Sequence, residues 1–153
     1  MMAKVVVFHG TTVERARKIM KDKKIKPTET GIARYDDTTK GFVYVTKRLC
    51  DALEFSTKPI INENTKVFVV FKILVEESEL IPDTDEAKWV STLTDNGWED
   101  CFRIQRELCF SEDVVAVFCK EMKSHNAVGD YMQAIQYGEK TVKESEWKNL
   151  CQN

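Results

Sequence analysis

The chain has only two histidines, His9 and His125, and neither stands at ligand spacing from a cysteine pair. No C-x-x-C pattern occurs among Cys50, Cys101, Cys109, Cys119 and Cys151. A structural zinc site needs such ligands in close register, so no metal is expected. The odd cysteine number argues against a disulfide framework and for reduced thiols in a cytoplasmic protein. No apolar run approaches the ~20 residues of a membrane span, and Val5 to Phe8 is far too short for the apolar segment of a signal peptide. No membrane partner is therefore expected. Charge of one sign is not in excess. The net charge is −2 and the pI about 5.8, so no global basic field announces a nucleic-acid partner, though a local basic groove stays open. Internal repeats, low-complexity tracts and interdomain linkers are lacking too. What remains, 153 residues at 42% hydrophobic and 31% charged, is the make-up of one globular domain spanning 1–153.

The chain opens with Val5-Val6-Val7-Phe8-His9-Gly10-Thr11-Thr12, a short apolar strand ending in an imidazole. Gly10 lets another group approach the backbone closely. Thr11 and Glu14 have the spacing of a capping box. Val13, Ala16, Ile19 and Met20 then recur at helical spacing to about Lys24, with Lys18, Lys21, Lys23 and Lys24 on the other side. That basic side reads first as a solvated face and second as a phosphate contact. Residues 26–41 are rich in Thr, Asp and Gly, a loop long enough to suggest function, bordering the site from Pro27 to Lys40. Gly41 to Thr46 reads as a strand, and Thr46 as the cap of a helix from Lys47 to about Ser56. Leu49, Ala52 and Leu53 form that helix's apolar stripe, and Phe55 lies off its centre. Residues 66–75 are almost continuously apolar, as a central strand covered on both faces would be. A short helix is expected over Asp85 to Leu93, with a turn at Thr94 to Gly97. Arg103 to Phe110 reads as a strand that puts Gln105 and Glu107 on one face. Val114 to Cys119 is another strand. A helix carrying Val128, Met132 and Ile135, a break near Gly138 and a last short helix with Trp147 and Leu150 close the chain. His125 reads as an exposed loop residue. This order predicts an α+β fold with a mixed or antiparallel sheet and flanking helices, not a doubly wound one.

Three of these stretches, His9-Gly10-Thr11, Gly41 to Thr46 with Tyr44, and Gln105-Arg106-Glu107, occur in an order and spacing that resembles the ADP-ribosyltransferases. The likeness is to their His-Tyr-Glu branch, the poly(ADP-ribose) polymerases and diphtheria-like toxins, and it covers roughly Val5 to Phe118. The resemblance implies a split sheet of the transferase type, with NAD as co-substrate and no metal. It implies that His9 bonds ribose hydroxyls, that the Gly10 backbone pairs with the nicotinamide carboxamide, and that Tyr44 and Phe55 enclose the nicotinamide ring. Glu107 would be the catalytic glutamate, and Thr11 and Thr46 would flank the bound NAD. Gln105 forms a Gln-x-Glu pattern that the arginine branch of the toxins associates with acceptor choice. The segment from Asp95 to Arg106, with Trp98, would present the acceptor.

The chemistry suits these residue types. Breaking the nicotinamide–ribose bond builds an oxocarbenium-like centre that a fixed carboxylate stabilises. Nicotinamide leaves as a neutral ring and needs no general acid, only a rigid aromatic slot. His9 should work neutral, because a cation would oppose the positive nicotinamide ring. The expected activity is transfer of a single ADP-ribose unit to a macromolecule by a monomeric enzyme of the bacterial or phage toxin kind. An acidic pI favours a protein acceptor over DNA or RNA. The alternatives are an NAD glycohydrolase, a non-catalytic NAD or ADP-ribose binding module, and an RNA 2′-phosphotransferase, whose arginine set cannot be placed. Structural roles also stand open. Tyr44 could be a strand tyrosine with a satisfied hydroxyl, Phe55 and Trp98 core residues, and Glu107 an ion-pair partner of Arg103 or Arg106.

Overall fold

An almost continuously apolar stretch of the sequence becomes the strand on which the sheet is built. In the computed structural model, which describes residues 3–27, 41–57, 67–83 and 100–150, this is β4, Val67–Glu76. It lies between β1, Lys4–Thr11, and β8, Val114–Glu121, and pairs antiparallel with both. Val69, Phe71, Ile73 and Val75 face one core cluster, while Phe68 and Val70 face the other. Burial on both faces is why no polar alternation marks this strand. Phe68, Phe71 and Phe118 are at most 2% exposed, and each such side chain contributes about 1.5–3 kcal/mol of apolar burial.

The remaining strands of the sheet are β3, Val43–Thr46, β5, Ile81–Pro82, β6, Cys101–Ile104, and β9, Lys148–Asn149. The spatial order is β5-β6-β3-β1-β4-β8-β9, and every pairing among the described residues is antiparallel. The fold is α+β with an antiparallel sheet. A separate two-stranded ribbon joins β2, Lys24–Ile25, to β7, Leu108–Cys109.

Helices cover both faces. α1, Val13–Asp22, packs Val13, Ala16 and Ile19 into the first cluster, which also takes Ile25 and Leu108 of the ribbon. α2, Leu49–Thr57, and α3, His125–Gln136, enclose the second cluster through Ala52, Leu53, Val128 and Tyr131. α2 is also tied to the sheet by a hydrogen bond: the amide of Val69 donates to Ser56 Oγ at 2.7 Å.

Several expectations are corrected. The cap of α1 is Thr12, whose hydroxyl accepts from the Arg15 amide at 3.3 Å. Thr11 is buried instead as the last residue of β1, because β4 offers it a partner in Val69. α1 stops at Asp22, since Lys23 turns left-handed at φ 56° and Lys24 enters the ribbon. α2 begins at Leu49 rather than Lys47. Thr46 holds the preceding turn by accepting from the Arg48 amide at 3.1 Å and donating to Asp51 at 3.3 Å. His125 starts α3 rather than sitting in a loop, with Ser124 as the cap accepting from the Ala127 amide. The last segment is a 3-10 turn, Glu144–Glu146, followed by β9, not a helix. Trp147 explains this: its ring stacks on Phe8 and leans on Phe118 over the sheet, which draws the chain along β8. The expected strand from Arg103 to Phe110 is broken into β6 and β7 by a bend at Gln105 and Arg106. The helix expected over 85–93, the turn over 94–97, Trp98 and most of the loop from Pro27 to Lys40 lie outside the described residues.

Candidate functional site

The C-terminal end of β1 is the place where the sheet stops being a continuous ladder. Toward β4, every residue from Lys4 to Thr11 has a partner. Toward β3, the register consists of one pair, Phe8↔Thr46. Beyond it the two strands are joined by a side chain: His9 Nδ1 lies 2.7 Å from the carbonyl oxygen of Tyr44. A carbonyl can only accept, so Nδ1 carries the hydrogen and donates. In the neutral ring Nε2 then holds a lone pair.

His9 is half-buried, and desolvation by the surrounding protein is the largest influence on its ring. That desolvation, first among the causes, holds its pKa below the ordinary 6.5, and the positive charge of Arg15 on α1 pushes the same way. The bond to the Tyr44 carbonyl acts in the opposite direction and does not offset them. Burial of a cation without an anionic partner is costly, so the ring is neutral at neutral pH.

Gly10 follows, and its glycine character has a local cause. A Cβ built on it would sit 1.8 Å from the carbonyl oxygen of Ala52 and 3.1 Å from the Ser56 amide nitrogen. The group that approaches Gly10 closely is therefore the backbone of α2. This lets Ala52 and Leu53 reach 0% exposure against the sheet.

Alternation distributes the other residues. Val43 and Val45 enter the core on the α1 side, so Tyr44 and Thr46 leave the strand on the α2 side. Thr46 is fully buried there against Asp51. Phe55 is half-buried on α2, one residue before Ser56. His9 is in phase with Val7 and lies on the α1 side, in keeping with the influence of Arg15. The structure thus brings His9 to the Tyr44 backbone at the seam, with Gly10 and α2 behind them. It puts the side chain of Tyr44 on the α2 face, with Phe55 on α2, and His9 on the α1 face, so the aromatic side chains and the imidazole do not share one face of the sheet.

Glu107 stands just past the end of β6, whose Ile104 pairs with Val43 at the same end of β3. Its side chain is 47% exposed and pairs with Lys24 of β2 at 3.7 Å. The carboxylate pairs with neither Arg103 nor Arg106, although the Glu107 carbonyl accepts from Arg106 Nη1 at 3.1 Å, and no hydrogen bond joins the side chain to His9 or Tyr44. Gln105 is exposed in the bend. Because Glu107 is open to water, the cost of burying an unpaired carboxylate does not bear on it.

The bend itself is held by a residue that sequence reasoning had only as a partner for Glu107. Arg106 donates Nε and Nη2 to Glu79 at 2.6 and 3.1 Å. Its Nη1 and Nη2 also donate to Asp113 at 2.8 and 2.9 Å. Asp113 additionally accepts from the Cys109 amide at 2.9 Å. The Arg106 hydrogen bonds hold the Glu79 carboxyl below its ordinary range. Burial pushes Asp113 upward, but Arg106 and the Cys109 amide outweigh it and leave its pKa lowered. Both acids raise Arg106. A planar guanidinium with two bidentate acids is a rigid clamp, and it fixes the residue immediately before Glu107. Asp113, seven residues on, was a visible sign of it; Glu79 was not.

Among the described residues, no group of His, Cys, Asp and Glu is arranged to hold a metal ion, and no helix is long and apolar enough to cross a membrane. No family model and no curated protein matches the chain.

Proposed function

We propose that the protein is an NAD-dependent mono-ADP-ribosyltransferase that breaks the nicotinamide–ribose bond and passes ADP-ribose to a macromolecular acceptor. The observation that carries this reading is the seam: β1 and β3 part after Phe8↔Thr46, and a neutral His9 spans the parting with its Nε2 lone pair uncommitted to Tyr44. In this reading the seam is the split of a transferase-type sheet. His9 Nε2 accepts a hydrogen bond from a ribose hydroxyl. The Gly10 backbone, in the plane of the sheet, pairs with the nicotinamide carboxamide between Thr11 and Thr46. Tyr44 and Phe55, both on the α2 side, enclose the nicotinamide ring. Glu107, which pairs with Lys24 just after α1, stabilises the ribosyl cation as the bond to the neutral leaving ring lengthens. The Lys24 pair does not block this role, because an exposed ion pair is worth only about 0–1 kcal/mol. Gln105 and Trp98 belong to the acceptor side of the reading.

A second reading is an NAD glycohydrolase. The 47% exposure of the Glu107 side chain favours it, since water reaches that carboxylate. Incubation of the protein with NAD labelled in the adenylate moiety separates the outcomes. Label on a macromolecule is expected and means transfer. Free ADP-ribose alone means hydrolysis, and uncleaved NAD means a binding module at most.

A further inference from the structure

The strongly basic stretch of the chain leads to the candidate site. Between Val13 and Lys26 there are seven basic and two acidic residues, a net of +5, so the rest of the chain carries −7 to reach the total of −2. The apolar side of α1 is spent on the core, which leaves Arg17, Lys18 and Lys21 exposed outward. Lys23, Lys24 and Lys26 continue the strip through the left-handed turn into β2. Lys26 pairs with Asp22 and Lys24 with Glu107, each at 3.7 Å. Among the described residues, no acid pairs with Arg17, Lys18, Lys21 or Lys23. Other lysines are engaged: Lys47 lies over Phe102, Lys72 over Trp147, and Lys120 and Lys140 over Tyr131.

An uncompensated row of like charges fits a polyanion. A membrane surface is a poor match, because a helix lying in lipid needs a free apolar face, and here only Met20, 41% exposed, is left. A protein partner is also a poor match, since lysine is depleted in protein interfaces, which are anchored by aromatics. Phosphodiester backbones are held by point charges of this kind.

Resting on the transferase reading, we propose that the acceptor is a nucleic-acid strand, held by its phosphates on the strip from Arg17 to Lys24. The strip ends 3.7 Å from the Glu107 carboxylate. A phosphate that takes Lys24 frees that carboxylate and sets the adjoining nucleotide beside it. In the transfer, a base N–H or sugar O–H of that nucleotide forms the bond to the ribosyl C1′. The C1′–nicotinamide bond breaks with its electron pair on the neutral ring, and the acceptor's proton passes to Glu107 or water.

The test is fluorescence anisotropy of short labelled single-stranded DNA and RNA, without NAD, followed by transfer from labelled NAD to the same oligonucleotides. Binding is expected, weakening with salt at a slope of about −0.7 per phosphate engaged. The triple variant Arg17→Gln/Lys18→Gln/Lys21→Gln should lose at least about tenfold in affinity and in labelled oligonucleotide, with acceptor-free NAD cleavage unchanged. Arg17→Lys with Lys18→Arg and Lys21→Arg should restore both. No binding at about 50 mM salt, binding indifferent to the triple variant, or tighter binding to phosphatidylserine vesicles than to oligonucleotides would overturn the proposal. So would label passing to lysate protein but not to the oligonucleotides. Strip-dependent binding with no NAD cleavage by any form of the protein would instead sink the transferase reading, and the acceptor role with it, while leaving the strip as a nucleic-acid surface.

Discussion

β1 has two neighbours and meets them differently. Against β4 it is zipped from Lys4↔Glu76 to Thr11↔Val69; against β3 it is paired at Phe8↔Thr46 and then held by the imidazole of His9. The zipped side satisfies its backbone groups within the sheet and buries Val69, Phe71 and Ile73 behind them. It is scaffold. On the other side the ladder does not continue, and a side chain with a spare lone pair stands where backbone pairing would be. Backbone polar groups at such a parting need a partner from elsewhere, a ligand or water. The same strand is therefore zipped along one edge and open along the other, and it is the open edge to which the proposed reading assigns the chemistry.

The largest effect expected on the open side is from Glu107→Gln. The change keeps size and one acceptor oxygen and removes the charge. Turnover of NAD should fall by on the order of 10²–10³, about 2.7–4 kcal/mol of barrier, with NAD affinity and melting temperature nearly unchanged. The carboxylate is exposed and paired only with Lys24, so its loss should cost little stability. A folded variant with full NAD cleavage removes Glu107 from the mechanism.

Gly10→Ala strikes where the two sides meet. The new Cβ would overlap the Ala52 carbonyl at 1.8 Å, and what must yield is helix backbone, not a flexible side chain. A loss of about 3 kcal/mol in urea unfolding is expected. Stability equal to the parent's would mean that α2 moves off the seam easily.

Arg106→Met tests whether the end of β6 is held as firmly as the β1–β4 ladder. It removes five charge-assisted hydrogen bonds, one of them to the Glu107 carbonyl, and leaves Asp113, its side chain 8% exposed, without its cation. Because Arg106 itself is 38% exposed, water compensates in part, and about 2 kcal/mol is expected. Its effect on chemistry should be positional: kcat falls through misplacement of Glu107, while the pH dependence of kcat keeps its shape. A variant as stable as the parent would show that the clamp is not holding the bend.

These residues also mark how far the fold is legible in sequence. β4 was, because two-sided burial leaves an almost continuous apolar run. β3, β8 and the break at Gly138, with φ 74°, were legible through β-branched runs and glycine. The single strand expected over 103–110 was not, because its break depends on Glu79, 27 residues before Arg106 and without local periodicity to announce it. The cap misread by one residue reflects two adjacent threonines that only the reach of β4 distinguishes. At the site, His9 beside the strand of Tyr44 was legible as an ordered set of residues. The Lys24 partner of Glu107 and the packing reason for Gly10 depend on tertiary neighbours that no local pattern carries.

The smallest effect concerns His9 and separates the two edges of β1 by pH. Its pKa in the folded protein lies below the ordinary 6.5, mainly because the ring is buried, with Arg15 adding to the shift. Above about pH 6.5 the imidazole is neutral in both folded and unfolded chains, and its full contribution is present. As pH falls below that value, the unfolded chain takes up the proton first, so stability declines until the folded-state pKa has been passed. One proton allows a slope of at most about 1.4 kcal/mol per pH unit, and stability is expected to decline as pH falls from about 7.5 to 5.5. Glu79 and Asp113 act in a different window. Their pKa values lie below the ordinary 4.5 and 3.8, so the stability they contribute is lost only in stronger acid. His9→Gln provides the comparison, because its amide can still donate to the Tyr44 carbonyl but does not titrate. His125 is common to both proteins, so the difference between the two urea-midpoint profiles belongs to His9. The variant's profile should be the flatter across this window, with the two converging in slope at higher pH. A parent profile no steeper than the variant's would mean that the seam leaves His9 as freely solvated as in the unfolded chain, and the open edge would lose its neutral imidazole.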